Sequence, residues 1–224
     1  MDLRYSIKYS DRETVTITVE RDRSIVVKAP RGTSTEKIAA IVESKKFWIY
    51  EKLKSAQKYS SEIPVKEFVS GETVLYLGKK YRLEIEKSDK EEIRFAGKFV
   101  VAAVSSERAS EVFKEWYKKQ AVEKILPRVK RHAQNMGVKY NHVFISELKY
   151  RWGSATPNDN LNFNWKLIKA PIFVIDYLIV HELAHFLEHN HTAKFWNIVE
   201  TQVPKYLKAK QWLKENGGLL EQEF

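Results

Sequence analysis

The sequence predicts an α+β protein in two parts. A β-rich N-terminal module with one helix spans 1–104, and an α+β domain with a small sheet spans 105–224. Three observations predict this. Residues 2–28 and 73–104 alternate apolar and polar side chains with the period of strands. From Ser105-Ser106-Glu107 onward the texture changes to long helical periods, interrupted by two short strand patterns. With 43% hydrophobic and 30% charged residues among 224, the chain has the composition of a globular protein able to bury a core.

The first elements are three strands, DLRYSIKYS, TVTITVE and SIVVKAP, separated by polar turns at 11–13 and 21–23. Pro30-Arg31-Gly32 ends this run. Thr33-Ser34-Thr35-Glu36 then offers a helix cap, and Ile38, Ile41, Val42, Trp48, Ile49 and Leu53 recur at helical spacing through about residue 57. Strands resume after Pro64. TVLYL, a turn at Gly78-Lys79-Lys80, and YRLEI read as a hairpin. IRFAGKFVVAAV reads as a strand pair or as one bent strand about Gly97. Beyond Ser105 a long helix runs to about Asn135, with a kink or interruption expected at Pro127 and an end at Met136-Gly137. NHVFISELKYRW is a strand pattern, GSATPNDN a loop of turn formers, and LNFNWKLI a second strand. Pro171 opens a helix that runs into a histidine cluster. Asn190 offers a break, Thr192 a cap for AKFWNIVETQV, and Pro204 starts a last helix to about Gly217.

The absence of cysteine excludes disulfides, thiolate zinc sites and cysteine nucleophiles, so any metal must be held by His, Asp or Glu. No signal-like apolar run follows the first residues, and the most apolar stretch, PIFVIDYLIV, is short and carries Asp176, so a cytoplasmic address is expected. The formal charge of +10 favours anionic partners and raises nucleic acid as one. The segment 108–132, with eight Lys/Arg against three Glu, offers a helix face for a phosphate backbone, although such faces are more often simply solvated. There is no phosphate-cradling glycine loop and no G-x-S-x-G elbow.

Four of the six histidines fall between His181 and His191, and His181-Glu182-Leu183-Ala184-His185 matches H-E-x-x-H. On a helix, residues four apart share a face with Cβ atoms about 6 Å apart, so two imidazoles can grip one zinc ion. The Glu beside the first His can reach a water on the metal without ligating it and take its proton. The residues before the motif, Val174, Tyr177, Leu178 and Val180, sink the helix into a core, where polar side chains need satisfying partners. Catalytic zinc takes three protein ligands and keeps one position open. A left-handed Asn190 can fold His191 back onto the metal, which makes His191 the preferred third ligand, with His189 and Glu200 as rivals. His132 and His142 lack ligand-spaced neighbours. Tyr177, Phe195 and Trp196 read first as packing residues.

HELAHFLEHNHTAKFW resembles the H-E-L-x-H-x-x-x-x-N-H-[ST]-x-x-F-W signature of the YgjP-like metallopeptidase domain, a zincin family related to SprT and Spartan proteases. Upstream, RWGSATPNDNLNFNWKLIKAPIFVIDYLIVHE resembles the family's R-W-G-S-C-S, L-N-x-x-L, A-P and D-Y-x-x-H-E-L run. The resemblance is specific over about 146–200. It implies a zincin-like domain that binds Zn2+ through His181, His185 and His191, with Glu182 as the catalytic base. Two positions depart from the pattern: Ala155 stands at the usual cysteine, and Trp165 at the second leucine of L-N-x-x-L.

The expected function is therefore zinc-dependent hydrolysis of peptide bonds, on a peptide or protein substrate. The alternatives are a nucleic-acid-associated protease like the Spartan relatives, and a zinc-stabilised interaction module without catalysis. Arg151 is a candidate for steadying a substrate carboxylate or an oxyanion, beside a structural reading in which it pairs with a carboxylate, Trp152 packs and Gly153 makes a turn.

Overall fold

A computed structural model describes residues 3–19, 24–54, 67–87, 93–103, 108–148 and 151–221. The chain divides into two compact units, Met1–Glu62 and Ile63–Phe224.

In the first unit, β1 (Ser6–Ser10), β2 (Thr16–Val19) and β3 (Ile25–Pro30) form a sheet with β3 in the centre. β3 pairs parallel with β1 and antiparallel with β2. Its central place explains its near-continuous apolar run: Ile25, Val27 and Ala29 are buried with Ile38, Val42 and Ile49 from the following helices. The predicted single helix is two, α1 (Thr35–Ser44) and α2 (Lys46–Lys54), joined at Lys45. Ser34 caps α1 as expected, accepting from the Lys37 N–H. Residues 55–57 of the predicted helix lie outside the described residues.

In the second unit, β4 (Thr73–Tyr76), β5 (Lys79–Glu86), β6 (Ile93–Phe95) and β7 (Phe99–Ala102) form a sheet of order β4-β5-β7-β6. The β4–β5 hairpin turns on Leu77 and Gly78, with φ of 48° and 79°. A two-residue hairpin turn of this hand needs both central residues at positive φ, so the turn sits one residue earlier than Gly78-Lys79-Lys80. Gly97, at φ 74°, reverses the chain between β6 and β7, so of the two expected readings the segment takes the strand pair.

These strands belong with the helices that follow. Val74, Tyr76, Leu83, Phe99 and Val101 share one core with Phe113, Tyr117, Ile125 and Val129 of α3 (Ala109–Met136). The expected boundary near Ser105 therefore falls inside the second unit, where a change from strand to helix marks a change of element and not of core. α3 buries a stripe at every fourth residue from Ala109 to Ala133 and continues as one helix through Pro127, where a kink or interruption was expected, so the helix is not interrupted there. Gly137 ends it in the left-handed conformation, with the Val138 N–H on the Ala133 carbonyl.

A second sheet has the order β8-β10-β9, from β8 (Val143–Ser146), β9 (Gly153–Ala155) and β10 (Leu161–Asn164). β9 was expected as loop. It pairs antiparallel with β10 through Gly153↔Phe163 and Ala155↔Leu161 and forms one edge. After β10 comes a 3₁₀ turn over Trp165–Lys169, then α4 (Ile172–Ala184), α5 (Ala193–Gln202) and α6 (Tyr206–Glu221). No helix among the described residues is long and apolar enough to cross a membrane.

Candidate metal centre

The site is built on α4. Val174, Ile175, Leu178, Ile179, Val180, Leu183 and Ala184 are all buried, so apolar residues cover more of this helix than one stripe and embed it in the core. Two contacts fix its start. The hairpin turn donates from Leu77 and Gly78 to the carbonyls of Ile168 and Lys169 at 2.9 and 2.8 Å. A Cβ on Gly78 would lie 2.9 Å from Pro171 Cα, so only glycine lets the turn reach the residue that caps the helix. Further along, Asp176 sits between Arg128, at 3.2 Å, and His132, at 3.0 Å, both on α3.

His181 and His185 lie one turn apart at the end of α4. The helix closes at Ala184 with His185 still in helical conformation, at φ −64° and ψ −20°. Asn190 does not take a left-handed conformation, contrary to expectation. A tight turn does that work: the Thr192 N–H donates to the Asn190 carbonyl at 2.7 Å and throws His191 back toward α4. Thr192 then caps α5, its hydroxyl accepting from the Phe195 N–H at 3.3 Å. The result is a group of three imidazoles, His181, His185 and His191, whose ligand atoms all lie within 4.8 Å of one another.

The two rivals for third ligand stand outside the group. His189 contributes its backbone, since its carbonyl lies 3.0 Å from His185 Nδ1. That bond fixes the tautomer and leaves Nε2 free. Glu200 is exposed on α5 and does not join the group. His181 and His191 face each other through Nε2 atoms 3.0 Å apart. Phe195 is fully buried, and its ring centroid lies 4.7–5.0 Å from all three imidazoles. Trp196 stacks on His191 at 5.6 Å, and Tyr177 meets His181 at 5.8 Å. The residues read as packing are therefore also the walls of the site.

Burial pushes His181 down to about 3, helped by the charges of His185, His191 and Lys210. His185 is lowered too, by burial and then by His191. Low values keep these rings neutral with a lone pair to offer. Three imidazole nitrogens at this separation, in a chain without thiolates, are a donor set that fits a zinc ion.

Glu182 is buried, at 6% exposure, beside the imidazoles. Burial raises its carboxyl to about 7, against the opposing hydrogen bond from Ala155 and the charge of Arg151. The Ala155 N–H donates to Oε2 at 3.0 Å. A Cβ on Gly153 would lie 2.9 Å from both Cγ and Oε1 of Glu182. Gly153 was expected to make a turn. Its role is close approach, in a strand laid against the helix that carries the Glu. Ala155 acts through its backbone, so the family's cysteine is not needed for this bond. Trp165, the other departure, is buried in the core.

Arg151 is exposed and forms no ion pair among the described residues, so its expected structural pairing is not made. Trp152 packs against the core. His132 is engaged with Asp176 and His142 is exposed. On α3 and its cap, Arg108, Lys114, Lys118, Arg128 and Arg131 are paired with carboxylates, which withdraws much of the face proposed for a phosphate backbone.

The YgjP-like metallopeptidase domain model matches residues 13–216. This chain belongs to the YgjP-like metallopeptidase domain family. The YgjP-like match spans nearly the whole chain, both compact units included. Among solved structures, the jannalysin metallopeptidase zymogen of Methanocaldococcus jannaschii is 23% identical, covering 40% of this chain and 96% of its own, with TM-score 0.35. The abylysin metallopeptidase zymogen of Pyrococcus abyssi is 17% identical, covering 40% and 93%, with TM-score 0.35. At these scores neither likeness bears on the site. No curated protein matches the chain.

Proposed function

We propose that this YgjP-like chain hydrolyses peptide bonds with a zinc ion held by His181, His185 and His191 and with Glu182 as general base. The observation that carries this reading is Glu182 itself. It is a buried carboxyl raised to about 7, next to three converging imidazoles, and a base of that strength matches work near neutral pH. The chemistry a zinc ion supplies when bound there is Lewis acidity toward water and the scissile carbonyl.

The chain's own residues do the rest. The Ala155 N–H holds Oε2, and no hydrogen bond from the described residues occupies Oε1. Oε1 is the atom that takes the proton from the attacking water and returns it to the leaving amine. The role we assign to Arg151, whose charge reaches Glu182, is to steady negative charge that develops on the substrate. β9 is a sheet edge beside α4, and an extended peptide can add to it by backbone pairing. Phe195 and Trp196 pack the imidazoles into one orientation.

Glu182→Gln tests the mechanism. The variant is expected to fold, to retain metal and to lose hydrolysis of a casein substrate by at least about 10²-fold. Undiminished hydrolysis would contradict the role of Glu182.

A further inference from the structure

The aromatic wall of the centre ends in a cation. Tyr206 of α6 stacks between Tyr177, at 6.4 Å, and Trp196, at 5.4 Å, with ring planes within 26° and 19°. Trp196 in turn stacks on His191. Lys210, four residues after Tyr206 and so on the same face of α6, places its Nζ 4.6 Å from the Trp196 centroid. A cation over an indole face is held by the ring quadrupole, which restrains an otherwise flexible side chain. Lys210 is exposed, and among the described residues no carboxylate lies within ion-pair distance of it. Its charge is nevertheless felt by His181. Glu188, a carboxylate close to His185 in sequence, is paired with Lys194 at 3.7 Å. The side of the centre formed by His181 and His191 thus presents a positioned positive charge without a counter-ion among the described residues.

We propose that Lys210, held on the aromatic shelf of Trp196, is a specificity-determining residue that selects peptides bearing a carboxylate side chain near the scissile bond. The inference rests on the peptidase reading for the nature of the ligand, and its test separates the two. Lys210 is exposed, so solvent screens its attraction for a carboxylate, and the preference is modest and falls with salt.

The experiment uses zinc-loaded full-length protein carrying Glu182→Gln. Two labelled short peptides are titrated by fluorescence anisotropy, identical except for glutamates or glutamines flanking the central bond. The expected result is about two- to fivefold tighter binding of the glutamate peptide at low salt, shrinking at high salt. Adding Lys210→Met, which keeps an unbranched stem against Trp196, is expected to abolish the difference with zinc content unchanged. Adding Lys210→Arg is expected to retain it. Equal affinities, a preference that survives Lys210→Met, or no binding of either peptide would overturn the proposal. Turnover by protein with Glu182 intact reports separately on the peptidase reading. Selective binding without turnover would remove that reading and leave Lys210 as a selector, and turnover without selectivity would do the reverse.

Discussion

Glu182 is constrained by backbone as much as by side chains. Its carboxylate lies between the α-carbon of Gly153 and the N–H of Ala155, two positions of one short strand. A methyl group at 153 would meet the buried Glu182 side chain from Cγ to Oε1, so it must move the carboxylate as a whole. Gly153→Ala is therefore expected to fold and to retain metal, while kcat falls about 10²-fold, as small misplacements of catalytic groups do. Metal analysis alongside steady-state kinetics checks this, and unchanged kcat would remove Gly153 as a positioning residue. The pairing of His181 with His185, and the place of Glu182 beside them on one helix, were legible in the sequence because a helix converts spacing directly into a shared face. His191 was reached in the sequence through a left-handed Asn190, and the structure brings it back instead by a turn in which the Thr192 N–H donates to the Asn190 carbonyl. The grip on Glu182 was not legible. It is made across 27 residues by β9, whose Gly-Ser-Ala sequence has little strand propensity and reads as loop.

At the scale of elements, the decisive feature is how α4 is anchored at two points before its histidines begin. Gly78 holds Pro171 at the start, and Gly78→Ala combines strain at positive φ with a clash against Pro171 backbone. The expected loss is about 2–4 kcal/mol of unfolding free energy, measured by denaturant titration. A loss within error of zero would show that the hairpin turn does not set the helix. Asp176 is the second anchor. Burial alone would raise its carboxyl, but the hydrogen bond with His132 and the charges of Arg128, His132 and Arg131 outweigh it and hold it below the ordinary 3.8. A depressed acid contributes stability that is present above the unfolded value and is lost as pH falls through the folded one. Metal-free wild type is thus expected to lose stability below about pH 3.8 that Asp176→Asn does not lose, the variant being weaker by about 1–3 kcal/mol at neutral pH. Equal acid sensitivity of the two proteins in parallel melts would contradict this anchor. The hairpin and the helices were legible from alternation and period, and their boundaries shifted where geometry beyond the local pattern intervened. The β4–β5 turn moved to Leu77 and Gly78 because the hand of a two-residue turn requires it.

At the scale of the whole molecule, a pattern change near Ser105 marks the passage from strands to helices, whereas the compact units divide between Glu62 and Ile63. Alternation alone cannot tell which core a strand joins, and Phe99 and Val101 join that of α3. The formal charge of +10 is likewise not a surface map, since many of the α3 cations are spent on carboxylates. Contact with DNA through this charge is a proposal with a direct check. Binding visible at low salt is expected to vanish at physiological ionic strength, as it does when few phosphates are neutralised. Persistent binding there would give the basic surface a larger role. The central claim is one zinc ion held by three imidazoles, and the metal content of the purified protein and its variants tests it most directly. One zinc per chain is expected in wild type and in His189→Ala, whose backbone carbonyl still meets His185, and loss of zinc in His181→Ala and His191→Ala. Folded wild type that takes up no zinc, or His191→Ala that retains a full equivalent, would contradict the account.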